Sequence, residues 1–290
     1  MKYKRLIFFL LLTFLFSSCK NHIDMMSGEN SMQIKGSDTI VNLVQVWAEK
    51  FVGTKEDINI GVTGGGSGTG FAALINETCN IAMSSRKIEE QEMNLAKDNA
   101  VFPIEFVVGY DGLAVLVNKD NPISELTMEQ LRLIFCGAIT NWKELGGADL
   151  KIVILSRESN SGTHMFFKEQ VLRRGDAKAK DEFSEHALLM PSSTAIFNEI
   201  EQNSCAIGYV GMGFANESVK IVKIAKTKEE DYIIPDADNV LSWKYPISRP
   251  LYLYTNGEPK GLIKQFIDYT MSDEGQIVVK ETFFVPIRKV

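Results

Sequence analysis

Hydrophobic and polar positions follow one repeating unit along most of the chain. A short apolar run ends in a polar turn rich in glycine or serine, and apolar residues at helical spacing follow. Met32–Lys35 leads into Gly36-Ser37-Asp38-Thr39, after which Leu43, Trp47 and Phe51 recur at every fourth position. Ile58–Val62 leads into GGGSGTG (64–70), then to Phe71, Leu74 and Ile75. Ile81–Met83 leads into Ser84-Ser85-Arg86, then to the charged segment Glu89–Lys97. Lys151–Leu155 leads into SRESNSGTHMFF (156–167), then to Phe167 and Val171. Strand–turn–helix units of this kind predict an α/β fold with a largely parallel sheet. Ligands of such sheets bind beyond the carboxyl ends of the strands, where all four turns lie.

Other elements are readable between and after these units. Ala114–Val117 reads as a strand. A helix then starts at Thr127, with Gln130 at capping-box spacing and Leu131, Ile134 and Phe135 as its buried stripe. Pro246–Tyr254 reads as a strand and Lys260–Thr270 as a helix. Internal repeats and low-complexity tracts are absent from the sequence.

The amino terminus breaks the pattern. Lys2, Lys4 and Arg5 precede the apolar run Leu6–Phe16, and Ser17-Ser18-Cys19 follows. A basic segment, a short apolar segment and small residues describe a secretory leader, here residues 1–18. The cysteine after the small residues matches a bacterial lipobox, with Phe16 where leucine is usual. Cys19 is therefore expected to carry a lipid that anchors the protein to a membrane, and residues 19–30 read as a polar tether. The apolar run is short for a bilayer span, and no other stretch approaches that length.

Composition narrows the choice of function. The 290 residues are 45% hydrophobic and 23% charged, enough for a large core and one large or two medium domains. Removing the three leader cations leaves 28 basic against 37 acidic residues, so nucleic acid is an unsuitable partner. An anionic ligand would have to be attracted by local groups rather than by the global field. Cys79, Cys136 and Cys205 are odd in number and lack CxxC spacing, which argues against zinc and for small buried side chains. His22 falls in the tether; His164 and His186 have no metal-ligand spacing and are expected at the surface or in caps. No metal or other cofactor is expected.

The turns carry the candidate chemistry. A helix start exposes unpaired N–H groups and a partial positive charge, which together bind oxyanions. Any one serine or threonine there can be a plain cap. Four turns of this composition, two of them with an arginine, point instead to an anion site. Arg157 would add a planar, bidentate-capable charge. GGGSGTG lacks the lysine of a phosphate-binding nucleotide loop, and Gly68-Thr-Gly70-Phe-Ala-Ala73 is only a weak dinucleotide match. An exported enzyme using Ser161 or Ser67 as nucleophile would need a nearby base, and none is evident. An adhesin would not need converging donor turns.

The segments KGSDTIVNLVQVWAEKF, GGGSGTGFAALINETCNIAMSSRKI, ELTMEQLRLIFCGAITNWKELGG, SRESNSGTHMFF, AIGYVGMGF, YPISRPLYLYTNG and SDEGQIVVKETFFVPI together resemble the PstS family. These are the phosphate-binding lipoproteins of bacterial phosphate ABC importers, and the resemblance runs from about residue 32 to 287. It implies a two-lobed class II periplasmic-binding-protein fold with the ligand cleft between the lobes. One lobe would be 31–112 plus 246–290, the other 113–245, with crossings near Gly109–Leu113 and Trp243–Pro246. It implies a monomeric, non-enzymatic receptor outside the cytoplasm that passes inorganic phosphate to a membrane permease. The family's contacts fall on Thr39, the Ile40 amide, Ser67, Ser85, Arg157, Ser161, Gly162 and Thr163. Longer members carry an aspartate where Ser85 stands, and that aspartate accepts the proton of hydrogen phosphate. Asp38 is expected to take that role, with a helix cap as the alternative. Arg86 is expected to pair with Asp38 or with the ligand.

Overall fold

The computed structural model describes residues 30–53, 57–176 and 178–290. The leader, Cys19, His22 and nearly all of the tether lie outside the described residues. β1 (Ser31–Gly36) runs parallel to both β2 (Asn59–Thr63) and β3 (Ile81–Ser84). Alternate residues of β1, Met32 and Ile34 among them, are buried, as one face of a pleated strand requires. Against them packs α1 (Val41–Val52), which buries Leu43, Val44, Trp47 and Phe51 as the four-residue spacing predicts. Each such side chain contributes roughly 1.5–3 kcal/mol on burial. α2 (Ser67–Ile75) and α3 (Glu90–Asp98) follow β2 and β3.

The chain then crosses to a second lobe along β4 (Pro103–Asn118). Through Gly112 this strand pairs with β10 (Ser248–Asn256); from Leu113 onward it pairs with β8 (Ala206–Gly211) and β9 (Val219–Ala225). In the second lobe β5 (Glu125–Thr127) lies parallel to β9 and leads into α4 (Met128–Phe135). The capping box is formed: Gln130 N donates to Thr127 Oγ1 at 3.1 Å, and Thr127 N donates to Gln130 Oε1 at 2.8 Å. β6 (Val153–Arg157) lies parallel to β8 and to β7 (Leu188–Met190). After β6 comes α5 (Gly162–Phe167), continued by one π-helical turn over Lys168–Leu172. α6 (Ser193–Gln202) follows β7, and α7 (Ala237–Leu241) precedes the return to the first lobe along β10. α8 (Gly261–Met271) and α9 (Asp273–Glu281) close the first lobe, where Trp47 Nε1 donates to the Gly275 carbonyl at 2.7 Å.

The sheet is mixed rather than largely parallel. β4 carries the chain out of the first lobe and β10 carries it back, so the two pair antiparallel; β10 also runs antiparallel to β3. The unit-by-unit pattern predicts parallel neighbours within each lobe, and those are present. Each lobe has its own core. Phe135, Trp142, Phe167 and Tyr209 centre the second, with Phe167 and Tyr209 stacked at 3.9 Å between ring centroids. Cys79 is buried as expected; Cys136 and Cys205 are only partly so, and all three are free thiols. Among the described residues no helix is long and apolar enough to cross a membrane.

Candidate functional site

The four polar turns meet where the lobes face each other. Thr39 lies between β1 and α1, Ser67 begins α2, Ser85 follows β3, and Thr163 lies in the first turn of α5. All four are buried, as are Ser161 and Ile40. Thr39 Oγ1 and Thr163 Oγ1 are 2.7 Å apart, a contact between lobes. On the first lobe Ser37 Oγ donates to Ser85 Oγ at 3.1 Å, and Ser85 N donates to Ser67 Oγ at 3.1 Å. Ser161 is the N-cap of α5, its Oγ accepting from His164 N at 3.4 Å.

Two glycines permit this approach. A Cβ on Gly162 would lie 2.2 Å from Ser67 Oγ and 2.8 Å from Ser85 Oγ, so only glycine lets α5 start against the two serines. Gly66 has φ 95°, and a Cβ there would lie 2.7 Å from the Asn160 carbonyl. That carbonyl accepts from Gly68 N at 3.0 Å, and Asn160 Nδ2 donates to the Gly65 carbonyl at 2.9 Å. Asn160 therefore clasps the glycine loop across the cleft.

Arg157 and Asp38 form a second link between lobes. Arg157 Nη2 donates to Asp38 Oδ2 at 2.6 Å, with the arginine side chain 2% exposed and the aspartate 16%. Asp38 Oδ1 accepts from Gly65 N at 2.8 Å, so the aspartate ties the glycine loop to the arginine rather than capping α1, whose cap residue is Ile40. Arg157 also donates to the Met190 and Pro191 carbonyls and to Ser193 Oγ.

Arg86 is placed otherwise than expected. Its guanidinium makes two 2.7 Å bonds to Glu92, lies 3.4 Å from Glu89, and covers the Phe71 ring; its Nε is buried with no partner. Asp38, one of its two expected partners, belongs to Arg157. The reason is local: Glu89 and Glu92 open α3 three and six residues on, within easy reach of one turn. His164 is also a correction. It is buried, not at the surface, with Nδ1 3.1 Å from Ser156 Oγ, which is 2.6 Å from Tyr209 Oη. Burial lowers its pKa to about 4, helped by the Lys168 charge, so the ring is neutral at pH 7. His186 is exposed, as expected.

Sequence reading missed a second arginine. Arg249 on β10 and Asp111 on β4 are direct cross-strand partners, 1% and 0% exposed. Arg249 Nε and Nη2 donate to Asp111 Oδ2 at 3.0 and 2.8 Å, and Asp111 Oδ1 accepts from Met212 N. Nη2 also reaches Thr163 Oγ1 at 3.1 Å and Thr39 Oγ1 at 3.4 Å, and Nη1 donates to the Ser85 carbonyl. Burial raises the pKa of Asp111 and lowers that of Arg249; their mutual attraction opposes both shifts. The positive field of Arg157 lowers Arg249 further. The available signal was a lone charge inside an apolar strand run, Asp111 in VVGYDGLAV and Arg249 in ISRPLYLY.

Among the described residues no group of three His, Cys, Asp or Glu side chains could hold a metal ion. Chemically the arrangement is a ring of hydroxyls and helix-start amides with two buried cations, suited to an oxyanion.

Comparison with known proteins agrees with this chemistry. A family model described as a PBP superfamily domain matches residues 26–274. Curated relatives include the phosphate-binding protein PstS of Pseudomonas aeruginosa, 34% identical over 269 residues, covering 87% of this chain and 81% of the relative. The PstS of Bacillus subtilis is 33% identical over 275 residues, covering 93% and 86%. Among solved structures, a phosphate ABC transporter substrate-binding protein of Clostridium perfringens with bound phosphate superposes with a TM-score of 0.80 at 32% identity. It covers 89% of this chain, and all of its own length is matched.

Proposed function

The chain belongs to the PstS family of phosphate-binding proteins within the PBP superfamily, and on that premise we propose that it captures inorganic phosphate outside the cytoplasm and delivers it to an ABC importer. It is a binding protein, not an enzyme. The observation that carries this reading is the meeting of Thr39, Ser67, Ser85 and Thr163 beside the buried Arg249 guanidinium, with Arg157 buried on Asp38 of the adjoining turn. Hydroxyls and helix-start amides supply neutral donors, and the arginines supply charge that the acidic surface does not.

In this proposal phosphate replaces the mutual bonds of the hydroxyls. Thr39, the Ile40 amide, Ser67 and Ser85 bind it from the lobe of 31–112 and 246–290. Arg157, Ser161, Gly162 and Thr163 bind it from the lobe of 113–245. Asp38 keeps acceptor capacity beyond its two bonds, because each carboxylate oxygen has two lone pairs. It is our candidate for the proton of hydrogen phosphate. Because the Asp38–Arg157 and Asn160 contacts cross the cleft, ligand entry requires the lobes to part about β4 and the segment before β10. Lipid on Cys19 would hold a monomeric receptor beside its permease.

Calorimetric titration of ligand-stripped protein with phosphate, arsenate, sulfate and molybdate tests the reading. Phosphate should bind with a Kd below about 1 μM and sulfate far more weakly. Absence of heat with every oxyanion would refute it. Membrane fractionation of wild type and Cys19→Ala tests the anchor separately; unchanged partitioning and mature mass would remove it.

A further inference from the structure

Two buried arginines flank the hydroxyl cluster, and their partners differ. Arg157 spends its bonds on Asp38, the Met190 and Pro191 carbonyls and Ser193, none of which belongs to the converging hydroxyls. Arg249 spends one Nη2 bond on Asp111 and turns the rest of that nitrogen toward Thr39 and Thr163. Its Nη1 uses one of two N–H groups on the Ser85 carbonyl. The guanidinium also lies against the Phe166 ring, 5.4 Å from its centroid.

A pocket adds an independent observation. A cavity of about 430 Å³ is walled by Arg86, Glu89 and Tyr252 from the first lobe and Phe166 and Glu169 from the second. Ser85 and Arg249 also line it; Arg157 and Asp38 do not. This space reaches Arg249 and not Arg157.

We propose that Arg249, aimed by Asp111, is a direct phosphate contact and the larger ionic contributor to affinity, while Arg157 chiefly joins the lobes through Asp38. This rests on the phosphate-binding reading above. Asp111 is a positioning residue: its Oδ2 holds Nε and Nη2 while its Oδ1 is fixed by Met212 N, and the second N–H of Nη2 is left toward the Thr39 and Thr163 hydroxyls. The division follows from where each pair sits. Asp111 and Arg249 are neighbours on β4 and β10, so they keep their geometry when the lobes part, and a charge is ready at the open cleft.

The test is phosphate titration of wild type, Arg249→Gln, Arg249→Lys, Arg157→Gln and the double variant Arg249→Gln/Asp111→Asn, with circular dichroism melts on each. Arg249→Gln alone strands the Asp111 charge and can fail to fold; the double variant replaces both charges by hydrogen-bonding amides. We expect the folded double variant to bind phosphate at least about a hundredfold more weakly than wild type, and Arg157→Gln to lose only about tenfold. Arg249→Lys should recover part of the affinity, because it restores charge without the planar fork. A double variant that binds within about threefold of wild type would overturn the proposal. So would Arg157→Gln losing more than the double variant. A crystal structure of wild type with phosphate decides the matter independently of folding: Arg249 Nη1 or Nη2 must lie within hydrogen-bond distance of a phosphate oxygen, and contact by Arg157 alone refutes it. If wild type binds no phosphate, the functional reading fails rather than this assignment.

Discussion

Arg157 reaches across the cleft to an aspartate of the other lobe, whereas Arg249 faces Asp111 on the adjacent strand. Both guanidiniums are almost wholly buried, but Asp38 is 16% exposed and Asp111 not at all. The first pair must break for the lobes to separate; the second need not. A bond that breaks during opening holds a closed form, and a bond that persists maintains the site. Burial sets the energetic contrast too. Loss of Asp38 leaves Arg157 its bonds to the Met190 and Pro191 carbonyls and to Ser193, while loss of Asp111 leaves Arg249 buried with no counter-charge.

The largest test removes the persistent pair's acid. Asp111→Ala should destabilise the fold by about 3–5 kcal/mol, since Arg249 would remain buried and unpaired. Urea unfolding measures this, and a loss under about 1 kcal/mol would mean that water reaches Arg249. Asp38→Ala should cost less, because Arg157 keeps its bonds to the Met190 and Pro191 carbonyls and to Ser193.

Acid acts selectively on the Arg157 side. His164 sits next to Thr163, within the field of Arg157 and Lys168, and its folded pKa is lowered to about 4. The unfolded chain protonates near pH 6.5 while the folded ring stays neutral. The contribution is therefore intact above pH 6.5 and falls away between pH 6.5 and 4, by about 3 kcal/mol in total. Melting curves across that range should show this slope in wild type and a flatter one in His164→Asn. Equal slopes would assign the acid sensitivity to other groups.

Asp38→Asn sharpens the contrast on specificity. It swaps an acceptor for a group that can donate, leaving Arg249 and Asp111 untouched. Phosphate should weaken and sulfate improve relative to it, a change of about 1–3 kcal/mol in preference. Competition between the two anions at one pH measures it, and a constant ratio would reduce Asp38 to a bridge for Arg157. The smallest effect on binding is expected from Arg86→Ala. Its partners Glu89 and Glu92 lie in its own lobe, but its guanidinium is buried against Phe71, so stability should fall by about 1–3 kcal/mol. Phosphate affinity should change by no more than about twofold; a larger loss would place Arg86 in the anion site.

Much of this was legible along the chain. The period-four stripe of α1, the Thr127–Gln130 capping box and the four strand-to-helix turns are local patterns, because neighbours in sequence decide them. The resemblance to a family pointed to Thr39, Ser67, Ser85, Arg157 and Thr163, and the fold buries all five. The Arg86–Asp38 pairing and the surface position of His164 went astray because the sequence offers several partners at similar distance and only packing selects one. Glu92 took Arg86, and the Ser156–Tyr209 hydroxyls took His164.

The sequence by itself determined the strand–turn–helix units around the four donor turns, and α4 and α8 besides, since side-chain periodicity and capping act over a few residues. Tertiary structure alone decided that β4 and β10 run antiparallel between lobes, and that Asp111 meets Arg249 across 138 residues of chain. It also decided that Gly162 lets Ser67 and Ser85 touch the start of α5. The reason is physical: a buried charge is tolerable only beside its counter-charge, and that pairing is set by register between distant strands, which leaves no trace in local spacing.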